Sequence, residues 1–204
     1  ISDFTNHLTE ALEIGRSTML DDSVAEIHNV LICGLGGSGI GGTIVADLVA
    51  EHINVPICAS KDYSIPNFVD ENTLVIASSY SGNTEETLYA LEACQKRNSQ
   101  IACVTSGGKL AELSKSKGFN LIQIPSGQPP RAMFGYSFTQ LFFLLHHYGL
   151  INDSFQLEFE KGIALLDEHE EAIKTEAKVL ADKLFGTTPV IYTAAGFEGV
   201  GIRF

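Results

Sequence analysis

The sequence predicts a doubly wound α/β fold built on a five-stranded parallel sheet, and three observations carry that prediction. Short apolar runs alternate with segments of helical period along the chain. The runs Val55–Ala59, Leu74–Ala77 and Ile101–Val104 are apolar on both faces, as strands covered by helices on each side must be. Two strand-to-helix turns are rich in glycine and hydroxyl side chains, the composition of loops that approach a ligand with their backbone.

In chain order, a leading helix spans Phe4–Leu20, where Phe4, Leu8, Leu12 and Met19 hold only a partial stripe. A strand at 29–35 runs into the glycine-rich turn Gly36–Gly42 and a helix at 40–52. Strands at 55–60 and 73–78, a helix at 84–97, a strand at 100–105, a helix at 109–117 and a strand at 120–124 follow. The next helix, 133–149, carries Phe134, Phe138, Leu141, Phe142, Leu145 and Tyr148 on one face and Phe143 and Leu144 on the other. A helix apolar over most of its girth must be buried widely, and a second domain or a second chain is expected to cover it.

From about Ser154 to Phe185 a long helix places Phe159, Ile163, Leu166, Ile173, Ala177, Leu180 and Leu184 at steps of three and four, interrupted by Glu170. Asp153 and Gln156 read as its cap and Gly186 as its stop. Glu168, Glu171, Lys174, Lys178 and Asp182 form a solvated face. Pro189–Ala195 then reads as a strand and Gly196–Gly201 as a glycine-bearing turn, an echo of Val30–Gly39 that predicts a pseudo-repeat. The expected organisation is a first domain over 1–152, a connecting helix over 153–186, and the start of a truncated second copy over 187–204.

Composition narrows the function classes. The net charge is −12, from 25 acids against 13 lysines plus arginines, and no basic cluster interrupts it. That argues against nucleic acid or an anionic membrane as partner. The four cysteines, Cys33, Cys58, Cys94 and Cys103, lack metal-type spacing and predict reduced, buried thiols and a cytoplasmic home. The most apolar stretch, Phe138–Ile151, is too short to cross a bilayer and is broken by Thr139, Gln140, His146 and His147. Adjacent histidines offer at most one side chain to a helix face, so His146 and His147 are not expected to bind metal. His7, His28, His52 and His169 read as surface or packing residues. Neither a metal nor a cofactor is expected.

The two turns carry the chemistry. Ser79-Tyr80-Ser81-Gly82-Asn83-Thr84 follows a buried strand and opens a helix, so Ser79, Ser81 and Thr84 can join the unpaired first N–H groups of that helix around an anion. Glu85 and Glu86 would repel a dianion, and Asn83 with Glu86 forms a capping-box pattern that could close the helix without a ligand. The first turn matches G-x-G-x-x-G at Gly34, Gly36 and Gly39, a dinucleotide fingerprint of moderate specificity, with Asp62 near the position of its ribose-binding acid. A nucleotide site leaves the hydroxyl-rich second turn unexplained. In a parallel sheet both turns project beyond the carboxyl ends of the strands, toward one crevice.

With Gly34–Gly42, Ser79–Glu86 and Pro125-Ser-Gly-Gln-Pro-Pro-Arg131 present in this order and spacing, the chain resembles the sugar isomerase (SIS) domain proteins, and among them the bifunctional phosphoglucose/phosphomannose isomerases. The resemblance covers most of the chain and implies a flavodoxin-like sheet. It also implies that Ser79, Ser81 and Thr84 hold a sugar 6-phosphate, that Gly37 and Ser38 contact the sugar, and that Arg131 steadies negative charge at the reacting end. Tyr80 then reads as a wall, while Gln128, Pro129 and Pro130 aim Arg131 inward. The implied reaction is aldose–ketose isomerisation through a cis-enediol in a homodimer, with the carboxylate base, a histidine and a lysine in a second SIS domain. Glu198 is read as a turn residue preceding that base. A non-catalytic phosphosugar-binding module is the rival, keeping the loops and lacking a base.

Overall fold

The computed structural model describes residues 3–204. Strands β1 (Asn29–Cys33), β2 (Ile57–Ser60), β3 (Thr73–Ser78), β4 (Gln100–Thr105) and β5 (Asn120–Gln123) form one parallel sheet in the order β2-β1-β3-β4-β5. That is the flavodoxin-like order, whose direction of winding reverses between β1 and β3. The two glycine- and hydroxyl-rich turns follow those two strands, so both lie at the switch point where such sheets open a crevice.

Helices α2 (Gly37–Val49), α3 (Glu85–Gln95), α4 (Gly108–Lys117) and α5 (Phe134–His147) cover the two faces, with α1 (Phe4–Ser17) and α6 (Ser154–Glu168) outside α5. Strand alternation divides the interior in two. Val30, Ile32, Leu74, Ile76, Ala102 and Val104 share a core with the residues of α1, α2 and α5. Leu31, Cys33, Val75, Ala77, Ile101 and Cys103 pack with Ala90, Leu91, Cys94 and Leu110 of α3 and α4. Each large apolar side chain so buried contributes about 1.5–3 kcal/mol.

The breadth of apolar surface on α5 has an explanation inside the chain, so it gives no argument for a second copy. A side chain at Gly15 of α1 would stand 2.1 Å from the Phe143 ring, which brings the two helices into close contact. Gln140 Nε2 donates to the Ala11 carbonyl at 2.8 Å, and Phe155 of α6 stacks on Phe142 and meets Phe143 edge-to-face, with centroids 5.7 and 5.0 Å away. Arg16 ties α1 to α6 through Gln156 at 2.8 Å and Glu160 at 2.7 Å.

Three expectations are corrected. The helix expected over 154–185 breaks at His169 (φ −103°, ψ 8°) into α6 and α7 (Glu170–Leu184). Asp167, Glu168, Glu170 and Glu171 crowd this point, and like charges three apart repel along a continuous helix. Asp153 is the N-cap residue of α6 as expected, but it makes no side-chain cap bond: Asn152 Oδ1 accepts the Ser154 N–H at 3.0 Å, while the Gln156 side chain is spent on Arg16. Finally, 189–195 is not a strand; its backbone has no ladder partner among the described residues, and Val190 and Tyr192 stand 71% and 91% exposed. The short helix α8 (Glu198–Arg203) follows and packs on α2.

Candidate functional site

The first turn is shaped by close approach. A Cβ at Gly34 would lie 2.9 Å from the Ser78 carbonyl, one at Gly39 would lie 2.4 Å from the Gly34 carbonyl, and Gly36 takes φ +57°. These contacts let α2 begin at Gly37, three residues earlier than the sequence predicts, with no side chain capping it. Gly37 and Ser38 therefore form the open first turn of a helix, where unpaired N–H groups face outward from the sheet end.

The second turn is held from both sides. Ser79, 2% exposed, has its N–H on the Val104 carbonyl at 3.0 Å, and its Oγ shares a 2.8 Å hydrogen bond with Thr84 Oγ1. Gly82 (φ +68°) passes so close to the neighbouring β4–α4 loop that a Cβ would overlap the Gly107 carbonyl at 1.8 Å. The expected capping box does not form. Thr84 is the N-cap of α3 but makes no side-chain bond to the helix N–H groups, and Asn83 Oδ1 instead accepts the Lys109 N–H at 3.1 Å, capping α4. The start of α3 is thus left open toward the crevice. Its acids turn elsewhere: Glu85 lines the groove between α3 and α4, and Glu86 lies near the Tyr63 phenol. Burial first, and then the charges of Glu85 and Glu86, push the Tyr63 phenol above its ordinary value.

Between the turns lies a cleft of ≈ 90 Å³ bounded by Gly37, Ser38, Tyr80, Ser81, Thr84, Pro130, Phe134 and others. Of the six residues picked from the sequence, Gly37, Ser38, Ser81 and Thr84 line this cleft, while Ser79 buttresses Thr84 from behind. Arg131 is exposed just beyond Pro130 and has no carboxylate within 4.0 Å among the described residues. Tyr80 is a wall whose hydroxyl accepts the Gln128 N–H at 3.3 Å, joining the second turn to the Pro125–Arg131 segment. The starts of α2, α3 and α5 converge here, a summed positive field suited to an anion.

Sequence reasoning missed Phe134 and Ser137, the α5 residues that close the cleft, because nothing local marks a helix start packed against two distant loops. It also missed Arg203. A larger, mainly apolar groove of ≈ 470 Å³ between α2, α5 and α6 has an aromatic lining of Phe138, Phe142, Phe155 and Phe159, with His52, Asn152, Ser154 and Glu158 also at its walls. Asp62 is exposed and accepts its neighbour's N–H, away from the cleft, so the dinucleotide pattern at Gly34–Gly39 lacks its acid. His146 and His147 bond to the carbonyls of Ile151 and Asp21 in different directions. Among the described residues no three His, Cys, Asp or Glu side chains cluster as a metal site. Glu198 is exposed at the start of α8.

Residues 23–147 match the SIS domain. Over 196 residues the chain is 40% identical to a bifunctional phosphoglucose/phosphomannose isomerase of Caldicellulosiruptor bescii, covering 93% of this chain and 58% of that protein. A protein of the same description from Aquifex aeolicus is 38% identical over 166 residues, 80% of this chain and 49% of its own length. The chain thus spans about half the length of the curated relatives it matches. Among solved structures, the C-terminal domain of glucosamine-fructose-6-phosphate aminotransferase from Francisella tularensis superposes with a TM-score of 0.76 at 14% identity, over 98% of this chain and 62% of that one, a likeness of fold.

Proposed function

Because the chain belongs to the SIS-domain family and is similar to its phosphoglucose/phosphomannose isomerases, we propose that it forms the phosphosugar-binding half of an enzyme that interconverts glucose 6-phosphate or mannose 6-phosphate with fructose 6-phosphate. The observation that supports this most is the convergence of Gly37, Ser38, Ser81 and Thr84 on one cleft at the switch point. A cleft of ≈ 90 Å³ accepts the phosphate end of such a ligand and leaves the sugar chain toward Arg131.

In this reading the 6-phosphate sits on the Ser81 and Thr84 hydroxyls and the first N–H groups of α3, with Ser79 holding Thr84 in its rotamer. Gly37 and Ser38 meet the sugar from α2. A base removes the proton from carbon 2 and returns it to carbon 1, and Arg131 offsets the charge that gathers on the enediolate oxygens. No acid or histidine among the described residues lines the cleft, so the base comes from outside this set. The residues here bind and orient. The free state of all four thiols supports a reducing, cytoplasmic location.

The test pairs binding with turnover. Titration calorimetry should show fructose 6-phosphate binding to the chain, competed by inorganic phosphate, and the intact enzyme should interconvert glucose 6-phosphate and fructose 6-phosphate. Binding with no turnover in any protein that contains this chain would favour the sensory module, and a thermal shift with NAD but none with sugar phosphate would reverse the reading.

A further inference from the structure

We infer that Arg203 is a positioning residue of the cleft, fixing the direction of Arg131, an assignment that rests on the phosphosugar reading above. Its guanidinium touches three sides of the site at once. Nη2 donates to the Arg131 carbonyl at 2.6 Å, the guanidinium carbon stands 4.9 Å above the Phe134 ring, and Nη1 comes within 3.9 Å of where a Cβ on Gly37 would be. These partners come from the Pro125–Arg131 segment, the start of α5 and the start of α2. A planar fork that stacks on a ring and donates along its edge can hold all three, and a lysine cannot.

The anchoring acts where Arg131 needs it. Pro129 and Pro130 fix their own φ angles, and the Ala132 and Met133 N–H groups return to the Pro129 and Pro130 carbonyls at 2.9 and 3.2 Å. The Arg131 carbonyl is the remaining acceptor of this turn. Tying it sets the plane of the following peptide and with it the bearing of the Arg131 side chain.

Delivery of Arg203 is built into the tail. Gly199 lies so close to α2 that a Cβ would come 2.6 Å from Ile44 Cγ1, and a Cβ on Gly201 would come 2.4 Å from Thr193 Cγ2. The first contact seats α8 on α2, the second folds the tail onto α8, and the Arg203 guanidinium comes to lie over the Phe134 ring. Among the described residues neither Arg131 nor Arg203 has a carboxylate within 4.0 Å, in a chain of net charge −12. With Arg203 engaged by the Arg131 carbonyl and the Phe134 ring, the Arg131 charge beside open helix starts is left for an anionic ligand.

A binding cycle on the 204-residue chain tests this. Kd values for inorganic phosphate and for fructose 6-phosphate are measured for the wild type, Arg203→Met, Arg131→Met and the double variant. Arg203→Met should weaken fructose 6-phosphate about tenfold, the size of one lost hydrogen bond to a charged group, and inorganic phosphate by less than about twofold. The double variant should be no weaker than Arg131→Met alone, since a residue acting through Arg131 has nothing left to act on. Gly199→Val, which lifts α8 off Ile44, should reproduce the selective loss. Equal losses for both ligands, or additive losses in the double variant, would overturn the positioning role. A wild type that binds neither ligand would instead remove the phosphosugar reading itself, and a Ser81→Ala control that weakens both ligands separates the two failures.

Discussion

Replacing Gly82 with alanine probes the joint on which the second turn depends. At φ +68° an L side chain costs about 1–2 kcal/mol. The new methyl would also sit 1.8 Å from the Gly107 carbonyl and 2.8 Å from Thr105 Oγ1. A backbone carbonyl cannot swing aside, so the two loops must part. Parting them loses Leu110 N–H to Gly82 O at 2.9 Å and Ser106 N–H to Tyr80 O at 3.0 Å, each worth about 1 kcal/mol net. The sum is about 3–4 kcal/mol, or a fall in Tm of about 6–16 °C for a chain of this size. Gly118 supplies the control, for it shares the same backbone geometry (φ +71°) but has nothing within 4 Å. Gly118→Ala should therefore cost only the conformational part, about 1–2 kcal/mol. Thermal melts followed by circular dichroism compare the two. If Gly82→Ala melts with Gly118→Ala, the loops are not in the contact described, and the rigidity claimed for Ser79–Thr84 falls with it.

Ser81→Ala and Thr84→Ala should each weaken fructose 6-phosphate binding by about 1–3 kcal/mol, read by calorimetry; unchanged affinity in both would move the phosphate elsewhere. The Tyr136 phenol donates to Glu10 at 2.5 Å, and burial, then Glu10, raises it well above its ordinary 10.0. A group raised in the fold stabilises fully below its unfolded value and loses that contribution as pH climbs toward the folded one. Stability should thus fall above pH 10 and Tyr136→Phe should flatten part of the fall, measured as urea midpoints across that range; an unaltered profile would contradict it. Cys33, Cys94 and Cys103 are at most 1% exposed, and burial lifts the Cys103 thiol to about 12. A thiol reagent at pH 8 should therefore modify only the half-buried Cys58 in the native chain and all four cysteines in denaturant, counted by mass spectrometry.

The strands were legible because a doubly covered sheet demands runs apolar on both faces, and Leu74–Ala77 and Ile101–Val104 have no other use. The loops were legible because their glycines and hydroxyls stand together in sequence, which singled out Ser81 and Thr84, while Gly37 and Ser38 came with the family resemblance. What escaped depends on partners far along the chain. Asn83 looks like the cap of its own helix, yet its acceptor serves Lys109, 26 residues on. The girth of α5 suggested an outside partner because nothing local reveals that Gly15 admits Phe143. The run 189–195 has a strand's composition, but a strand exists only with a neighbour. Arg203 meets the Arg131 carbonyl across 72 residues, a distance no local pattern spans.

The Gly15–Phe143 contact bears on how the domain can be handled. The SIS domain match begins at 23 and ends at 147, so it leaves out both α1 and α6, the two layers over the aromatic side of α5. A fragment trimmed to those limits would bare Phe142 and Phe143, strand Gln140 Nε2 without the Ala11 carbonyl, and expose a greasy flank prone to self-association. The SIS segment is here smaller than the unit of solubility, and a soluble minimal version should run from α1 through α6.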